Sequence, residues 1–175
     1  SKIRRFCHAA RKKVGELMIP LTDYPHIPYW FTIKQAIAIV KTAVLGLEGK
    51  VEPSTLLVFD EKYQLMGSLT MEDLIRGIEK KFVRSNGYLS KEWNTPVFFE
   101  GLFTEGVKEE AQKPVSEIMS PVKETVSPDE SIIKAIYIMM EQNTQLLPVI
   151  EKGTIKGVIR LNEIFNEIAN LVMAE

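Results

Sequence analysis

The sequence predicts an α/β protein made of two half-domains of the same design, packed about an internal pseudo-twofold axis. The main observation is a repeat: residues 56–78 align without a gap with residues 146–168. Two further segments repeat in the same order, and the pairs are VGELMIP (14–20) with VSEIMSP (115–121) and TIKQAIAIV (32–40) with SIIKAIYIM (131–139). Two copies are too few for an open solenoid, so we expect the copies to bury their apolar faces against each other.

The repeat divides the chain into an N-terminal helix (1–13), a first motif (14–83), an inter-repeat segment (84–113) and a second motif (114–175). Residues 3–14 have the apolar spacing of an amphipathic helix whose polar side is basic. That side suits contact with an anion or a membrane surface. We interpret it instead as a solvated face whose lysine and arginine side chains lay their aliphatic parts over the core.

In each copy, a short helix ends at a proline and a long helix follows. In the second copy, Ser127, Pro128 and Glu130 form the pattern of a capped helix start. In the first copy, the long helix starts at Thr32. The predicted buried stripes are Ile33, Ala36, Ile37, Val40 and Val44, and Ile132, Ile133, Ala135, Ile136, Met139 and Met140.

Two strands and a closing helix complete each copy. The predicted strands are 56–59 and 66–69 in the first copy, and 147–150 and 156–159 in the second, with hairpin turns EKYQ and EKGT between them. The closing helices are predicted to direct inward Leu74, Ile75 and Ile78, and Ile164, Phe165, Ile168, Leu171 and Val172. The inter-repeat segment carries too many large apolar side chains for a disordered linker, so we expect it to cover the core or an interface; they are Tyr88, Trp93, Phe98, Phe99 and Phe103.

Composition narrows the classes of function. The chain has 175 residues and a net charge of −1, which argues against a nucleic-acid partner. Its single cysteine, Cys7, excludes an internal disulfide framework, and no apolar run approaches the ~20 residues of a membrane span. We therefore expect a cytoplasmic protein. Because the chain begins with Ser1, it is also open to being part of a longer protein.

The candidate chemistry lies where the last strand of the first copy turns into its helix. Gly67 lets a ligand or another backbone segment come close, because it has no side chain. Thr70 and the amides after it suit a phosphate at the helix N-terminus, and Asp73 can accept from two vicinal hydroxyls of a ribose. The alternative is that Thr70 and Asp73 form a capping box, which needs no ligand.

The two copies resemble tandem CBS domains, the cystathionine-β-synthase-type regulatory module. The resemblance rests on Leu147-Pro148-Val149-Ile150 with Gly157 in the second copy, on Leu57-Val58-Phe59-Asp60 with Gly67 in the first, and on the lead-ins VGELMIP and VSEIMSP. It covers most of the chain outside the N-terminal helix and the inter-repeat segment. It implies two CBS-type βαββα half-domains about a pseudo-twofold axis and a homodimer.

The resemblance also implies clefts that bind AMP, ADP, ATP or S-adenosylmethionine. Thr70 would then contact phosphate and Asp73 the ribose hydroxyls. Thr125 and Val126 would offer backbone groups to an adenine edge, and Tyr29 and Trp30 would stack a base or belong to the core.

The second copy departs from this pattern, because Arg160 stands in place of the hydroxyl residue and Glu163 in place of the shorter aspartate. We expect one competent site. Arg160 would either reach a phosphate held by Thr70 or form an ion pair with Glu163.

No catalytic group or metal site is predicted. His8 and His26 are the only histidines, and they lack the spacing of a zinc site; Cys7 beside His8 is interpreted as packing. The leading hypothesis is a nucleotide-sensing regulatory module that is not an enzyme. The alternatives are a ligand-free dimerisation scaffold and a regulatory fragment of a larger transporter or enzyme.

Overall fold

The computed structural model describes residues 2–45, 55–79 and 102–174. They divide into two compact units, which we call the terminal unit (1–24 and 123–175) and the central unit (25–122). In chain order the elements are α1 (Lys2–Ala10), α2 (Val14–Leu17), β1 (Ile19–Pro20), β2 (His26–Pro28), α3 (Ile33–Leu45), β3 (Thr55–Phe59), β4 (Leu65–Thr70), α4 (Met71–Ile78), α5 (Gly106–Glu110), α6 (Ile132–Gln142), β5 (Leu146–Glu151), β6 (Thr154–Arg160) and α7 (Leu161–Met173). The predicted α/β class with two small sheets is confirmed.

Each unit contains one three-stranded sheet built around one of the predicted hairpins. In the central unit, β3 pairs antiparallel with β4 and parallel with β2. In the terminal unit, β6 lies between β5 and β1 and is antiparallel to both. Each hairpin gains a further partner, because Ser120 bridges to Ser68 and Val126 bridges in parallel to Val149.

The two lead-in segments pack with the hairpin of the opposite repeat. Ile19 pairs with Val158 of the second repeat, and Ser120 exchanges two backbone hydrogen bonds of 2.9 Å with Ser68 of the first. The sequence repeat places these segments with the motif that follows them, whereas the packing places each with the other motif. This exchange brings Ser120 to the corner between β4 and α4.

Each unit has its own apolar core between its sheet and its helices. The core of the central unit includes Ile27, Ile33, Ala36, Leu56, Val58, Leu69, Leu74 and Val115. The core of the terminal unit includes Val14, Val126, Ile132, Ala135, Met139, Leu147, Val149, Ile159 and Ile164. Most of these positions were predicted as strand or inward helix positions, because alternation and helical spacing identify the face that meets a sheet.

Several helix predictions were wrong. The long helix of the second repeat begins at Ile132 with Ser131 as its N-cap, and the carboxylate of Glu130 instead accepts from the Ser127 N–H in a preceding turn. Six positions predicted to face inward are exposed; they are Ile75, Ile133, Met140, Phe165, Ile168 and Val172. These helices are apolar on two faces, so their spacing alone does not select the buried one.

The prediction for the inter-repeat segment falls mostly outside the described residues. Of its named aromatics only Phe103 is described, and its side chain is 93% exposed, so it does not cover the core. Val44 also lies among residues whose burial is not described. Within the described ranges, no helix combines the length and the apolar character that crossing a membrane requires.

Candidate functional site

The corner between β4 and α4 forms a complete capping box. Thr70 is the N-cap of α4, and its hydroxyl accepts from the Asp73 N–H at 3.1 Å. In return, Asp73 Oδ2 accepts from the Thr70 N–H at 3.0 Å. The alternative weighed from the sequence is therefore present, and Thr70 and Asp73 lie side by side in a half-buried position. The capping box therefore uses the residues that the sequence nominated for a ligand site.

Gly67 is the point at which a second backbone segment approaches the corner. A Cβ added at Gly67 would lie 2.7 Å from the Ser120 carbonyl oxygen and 3.0 Å from the sulfur of Met119. The sequence left open whether a ligand or another backbone segment approaches Gly67. In this structure it is a backbone segment, the lead-in of the second repeat.

Ser120 completes the environment of the Asp73 carboxylate. Its hydroxyl donates to Asp73 Oδ1 at 3.1 Å, so the two carboxylate oxygens are held from two sides. Sequence reasoning missed this residue. A signal was available, because the aligned lead-ins place Ser120 opposite Ile19, and a polar residue against an apolar one marks a difference between the corners.

The corner between β6 and α7 is organised by an ion pair. Arg160 is the N-cap of α7 but makes no side-chain capping bond. Its Nε donates to both carboxylate oxygens of Glu163 at 3.0 Å, and its Nη2 also donates to Oε1. Hydrogen bonding to Glu163 raises the pKa of Arg160 above its ordinary value, and burial opposes this only in part. The alternative in which Arg160 pairs with Glu163 is thus the one found.

A pocket of about 540 Å³ opens beside this ion pair. It is lined by Gln145, Arg160, Leu161, Asn162, Glu163, Phe165 and Asn166. The Leu161 amide at the start of α7 already donates to the Gln145 carbonyl oxygen at 2.8 Å. The pocket wall therefore offers side-chain amides and a guanidinium that is already paired with the Glu163 carboxylate. Because that carboxylate is engaged, it is a poor acceptor for the hydroxyls of a ribose.

Val126 and Thr125 occupy the loop that leads to α6. Val126 is buried, and both of its backbone groups are engaged, because its N–H donates to Pro148 at 3.0 Å and its carbonyl accepts from Ile150 at 2.8 Å. Thr125 is exposed. Any backbone contact to an adenine edge here would fall to Thr125 rather than to Val126.

Tyr29 and Trp30 follow β2 and differ in their environments. Tyr29 packs against the core of the central unit, whereas the side chain of Trp30 is 52% exposed. Their rings meet edge to face, with centroids 5.2 Å apart. Trp30 is therefore the ring with a free surface, while Tyr29 belongs to the packing. No cluster of His, Cys, Asp or Glu suited to a metal ion occurs among the residues that the structure describes.

Comparison with protein-family models gives one match, to the CBS domain over residues 115–170. This match covers most of the second repeat. No curated protein matches the chain.

Solved structures extend the match to the fold of the whole chain. The structure of CBSX2 in complex with AMP has a TM-score of 0.64 at 16% identity, covering 92% of this chain and 98% of that one. The CBS domain of the bacterial CNNM/CorC family Mg²⁺ transporter in complex with ATP has a TM-score of 0.65 at 16% identity, covering 96% and 94%. A putative acetoin utilization protein from Vibrio cholerae has a TM-score of 0.65 at 16% identity, covering 91% and 92%. The chain has the fold of a tandem CBS-domain pair.

Proposed function

We propose that this CBS pair is a regulatory module that binds an adenosine-containing nucleotide at the corner formed by Gly67, Thr70 and Asp73. The observation that carries the proposal is the Asp73 carboxylate, which is fixed beside the N-terminus of α4. Similar folds in complex with AMP and with ATP support the class of ligand.

The phosphate and the ribose of a nucleotide each have a partner of suitable chemistry at this corner. The helix N-terminus and the Thr70 hydroxyl favour a phosphate, and the Asp73 carboxylate favours the two ribose hydroxyls. The exposed ring of Trp30 offers a stacking surface, but it follows Pro28, which pairs with Phe59, whereas Thr70 pairs with Thr55 at the other end of the same strand. The base is therefore not assigned a partner at this corner. The negative charges of Glu72 and Asp73 oppose an anionic ligand, although Glu72 is near Arg76 at 3.6 Å.

The proposal assigns binding to the first corner and not to the second. Glu163 is fully engaged by Arg160, and the Arg160 side chain is mostly buried in that contact. Opening the second corner would separate a half-buried ion pair, which costs more than an exposed one. The module performs no chemistry of its own; nucleotide binding shifts a population between two arrangements that a partner reads.

Isothermal titration with AMP, ADP, ATP and S-adenosylmethionine tests the proposal. A ligand present at about 100 times its dissociation constant stabilises the protein by about 2.7 kcal/mol, which thermal unfolding detects readily. Asp73→Ala is expected to abolish this stabilisation, whereas Glu163→Ala is expected to retain it.

A control is needed because Asp73→Ala also removes two accepted hydrogen bonds and lowers the free energy of unfolding by about 1–2 kcal/mol. Gln35→Ala is the matched control, since Gln35 closes an equivalent capping box with Thr32 in the same unit, with a Thr32 N–H to Oε1 distance of 2.9 Å. It is expected to lose a similar stability and to keep nucleotide binding. Equal binding by wild type and Asp73→Ala would overturn the proposed site.

One observation favours the second candidate, a ligand-free interaction scaffold: Thr70 and Asp73 form a complete capping box, which is a sufficient structural role for both residues. The two functions differ in a simple outcome. A scaffold shows no heat of binding and no thermal shift with any of the four nucleotides.

We also propose that the module is a homodimer formed through the outer face of α6 and α7. This face is defined by Ile133, Tyr137, Met140, Phe165, Ile168 and Val172, all of which are exposed. The two acidic residues of α7 are turned away from it, because Glu163 pairs with Arg160 and Glu167 with Lys12. An exposed apolar face is typical of self-association, and a second copy supplies the same face.

Sedimentation velocity tests the dimer. Phe165→Glu places a charge in the centre of the face and is expected to give a monomer. Phe103→Glu adds the same charge to an exposed ring outside the face and is expected to leave the dimer intact. A monomeric wild type at micromolar concentration would contradict the proposal.

A further inference from the structure

We propose that Ser120, from the lead-in of the second repeat, is a positioning residue that orients the Asp73 carboxylate for a vicinal diol. The inference rests on the nucleotide-binding function proposed above and adds a residue from the other repeat to the same site.

The Asp73 carboxylate can accept more hydrogen bonds than the protein gives it. A carboxylate has about four acceptor positions, two on each oxygen. The Thr70 N–H takes one on Oδ2 at 3.0 Å, and the Ser120 hydroxyl takes one on Oδ1 at 3.1 Å. One acceptor position remains on each oxygen, and this is the pattern that two neighbouring hydroxyls require.

Backbone hydrogen bonds hold Ser120 in place. Its N–H and carbonyl both bond to Ser68 at 2.9 Å, so its backbone is fixed to β4. The absence of a side chain at Gly67 permits this approach, since a Cβ there would lie 2.7 Å from the Ser120 carbonyl oxygen. The hydroxyl therefore reaches Asp73 from a backbone position that is hydrogen-bonded to β4 on both its N–H and its carbonyl.

The second corner, between β6 and α7, lacks this arrangement. Ile19 pairs with Val158 there and supplies no hydroxyl, and Glu163 accepts three hydrogen bonds from Arg160. One corner thus has a carboxylate held by neutral donors, and the other has a carboxylate paired with a cation. The lead-in residue, Ser120 or Ile19, is one of the differences between the two corners.

Titration of AMP and 2′,3′-dideoxy-AMP into two variants of equal shape, Ser120→Thr and Ser120→Val, tests the inference. Thr keeps the hydroxyl and Val replaces it with a methyl group. Wild type and Ser120→Thr are expected to bind AMP at least about tenfold more tightly than the dideoxy compound, because that compound lacks both hydroxyls that would donate to the charged Asp73 carboxylate. Ser120→Val is expected to bind the dideoxy compound as wild type does and to lose most of the preference for AMP.

The preference ratio separates positioning from structural damage. A variant that only loosens the fold weakens both nucleotides equally and keeps the ratio, so an unchanged ratio in Ser120→Val overturns the role of Ser120 alone. Absence of binding of either nucleotide to the wild type overturns the proposed function and this inference together. If Ser120→Val loses the preference for AMP and Ser120→Thr keeps it, the result supports both the proposed function and the role of Ser120.

Discussion

At the scale of single residues, two glycines leave room for the lead-in segment of the opposite repeat to pack against each hairpin. Gly67 admits Ser120 and Met119, and Gly157 admits Ile19 and Pro20 at the equivalent place in the terminal unit. At Gly157 an added Cβ would overlap the Ile19 carbonyl oxygen, which is a backbone atom held in a strand pair. These glycines are needed for contact with backbone and not for a turn.

Gly157→Ala is therefore expected to lower the free energy of unfolding by about 3 kcal/mol, because β1 must move away from β6. Urea unfolding measures the change. Gly153→Ala is the comparison: its φ of 76° strains an alanine, but no atom lies within contact distance, so the expected loss is about 1 kcal/mol. A loss at Gly157 no larger than that at Gly153 would contradict the close approach as the cause.

The sequence predicted part of this corner and could not predict the rest. Thr70 and Asp73 were found because a strand, a turn and a helix start are local signals. Ser120 was missed because its neighbour Asp73 lies 47 positions away, and local patterning carries no information about which segments meet. Val126 was predicted to present backbone groups, but they are used by β5, a pairing that its own residue type does not reveal.

At the scale of elements, the start of α6 depends on two separate caps. Ser131 Oγ accepts from the Lys134 N–H at 3.3 Å, and the Glu130 carboxylate accepts from the Ser127 N–H at 3.0 Å and from the Lys134 side chain. The Lys134 and Ser127 contacts lower the pKa of Glu130 below its ordinary value of 4.5. The capping pattern in the sequence was real but belonged to the turn before the helix.

Because the folded-state pKa of Glu130 is lowered, its contribution to stability is present above pH 4.5 and is lost as the pH falls through the folded value. Glu130→Gln is expected to cost about 0.5–1 kcal/mol at pH 7, and this cost is expected to shrink as the pH falls below 4.5 and through the folded pKa. Urea unfolding at several pH values gives the difference between the two proteins. A difference that stays constant from pH 7 to pH 3 would exclude the carboxylate charge as its source.

The strands were predictable and the helix faces were not. The four predicted strands lie within observed β3, β4, β5 and β6, since alternating apolar residues and short turns define a hairpin locally. In α7, Ile164 faces the core while Phe165 is 65% exposed. Both are large and apolar, so only the position of the sheet decides which one is buried.

At the scale of the whole molecule, each unit needs a segment from outside its own repeat. The central unit is continuous, from residue 25 to 122, and contains the lead-in that pairs with β4. The terminal unit joins two distant parts of the chain, 1–24 and 123–175. Cutting the chain by repeat and cutting it by packing therefore yield different fragments.

A fragment of residues 25–122 is expected to unfold cooperatively, whereas residues 123–175 alone are expected to lack cooperative unfolding because β6 loses β1 and an open edge remains. Adding a peptide of residues 1–24 to the second fragment is expected to restore folding. Thermal unfolding followed by circular dichroism distinguishes these states. Cooperative unfolding of 123–175 without the peptide would show that the exchanged lead-in is dispensable.

The split of the terminal unit also sets an order for events during synthesis on the ribosome. The central unit has all of its partners once residue 122 has emerged. Residues 1–24 are made before the central unit, but they wait for β6 and α7, which are made after it. Translation thus completes the proposed nucleotide corner before it closes the sheet in which β1 pairs with β6.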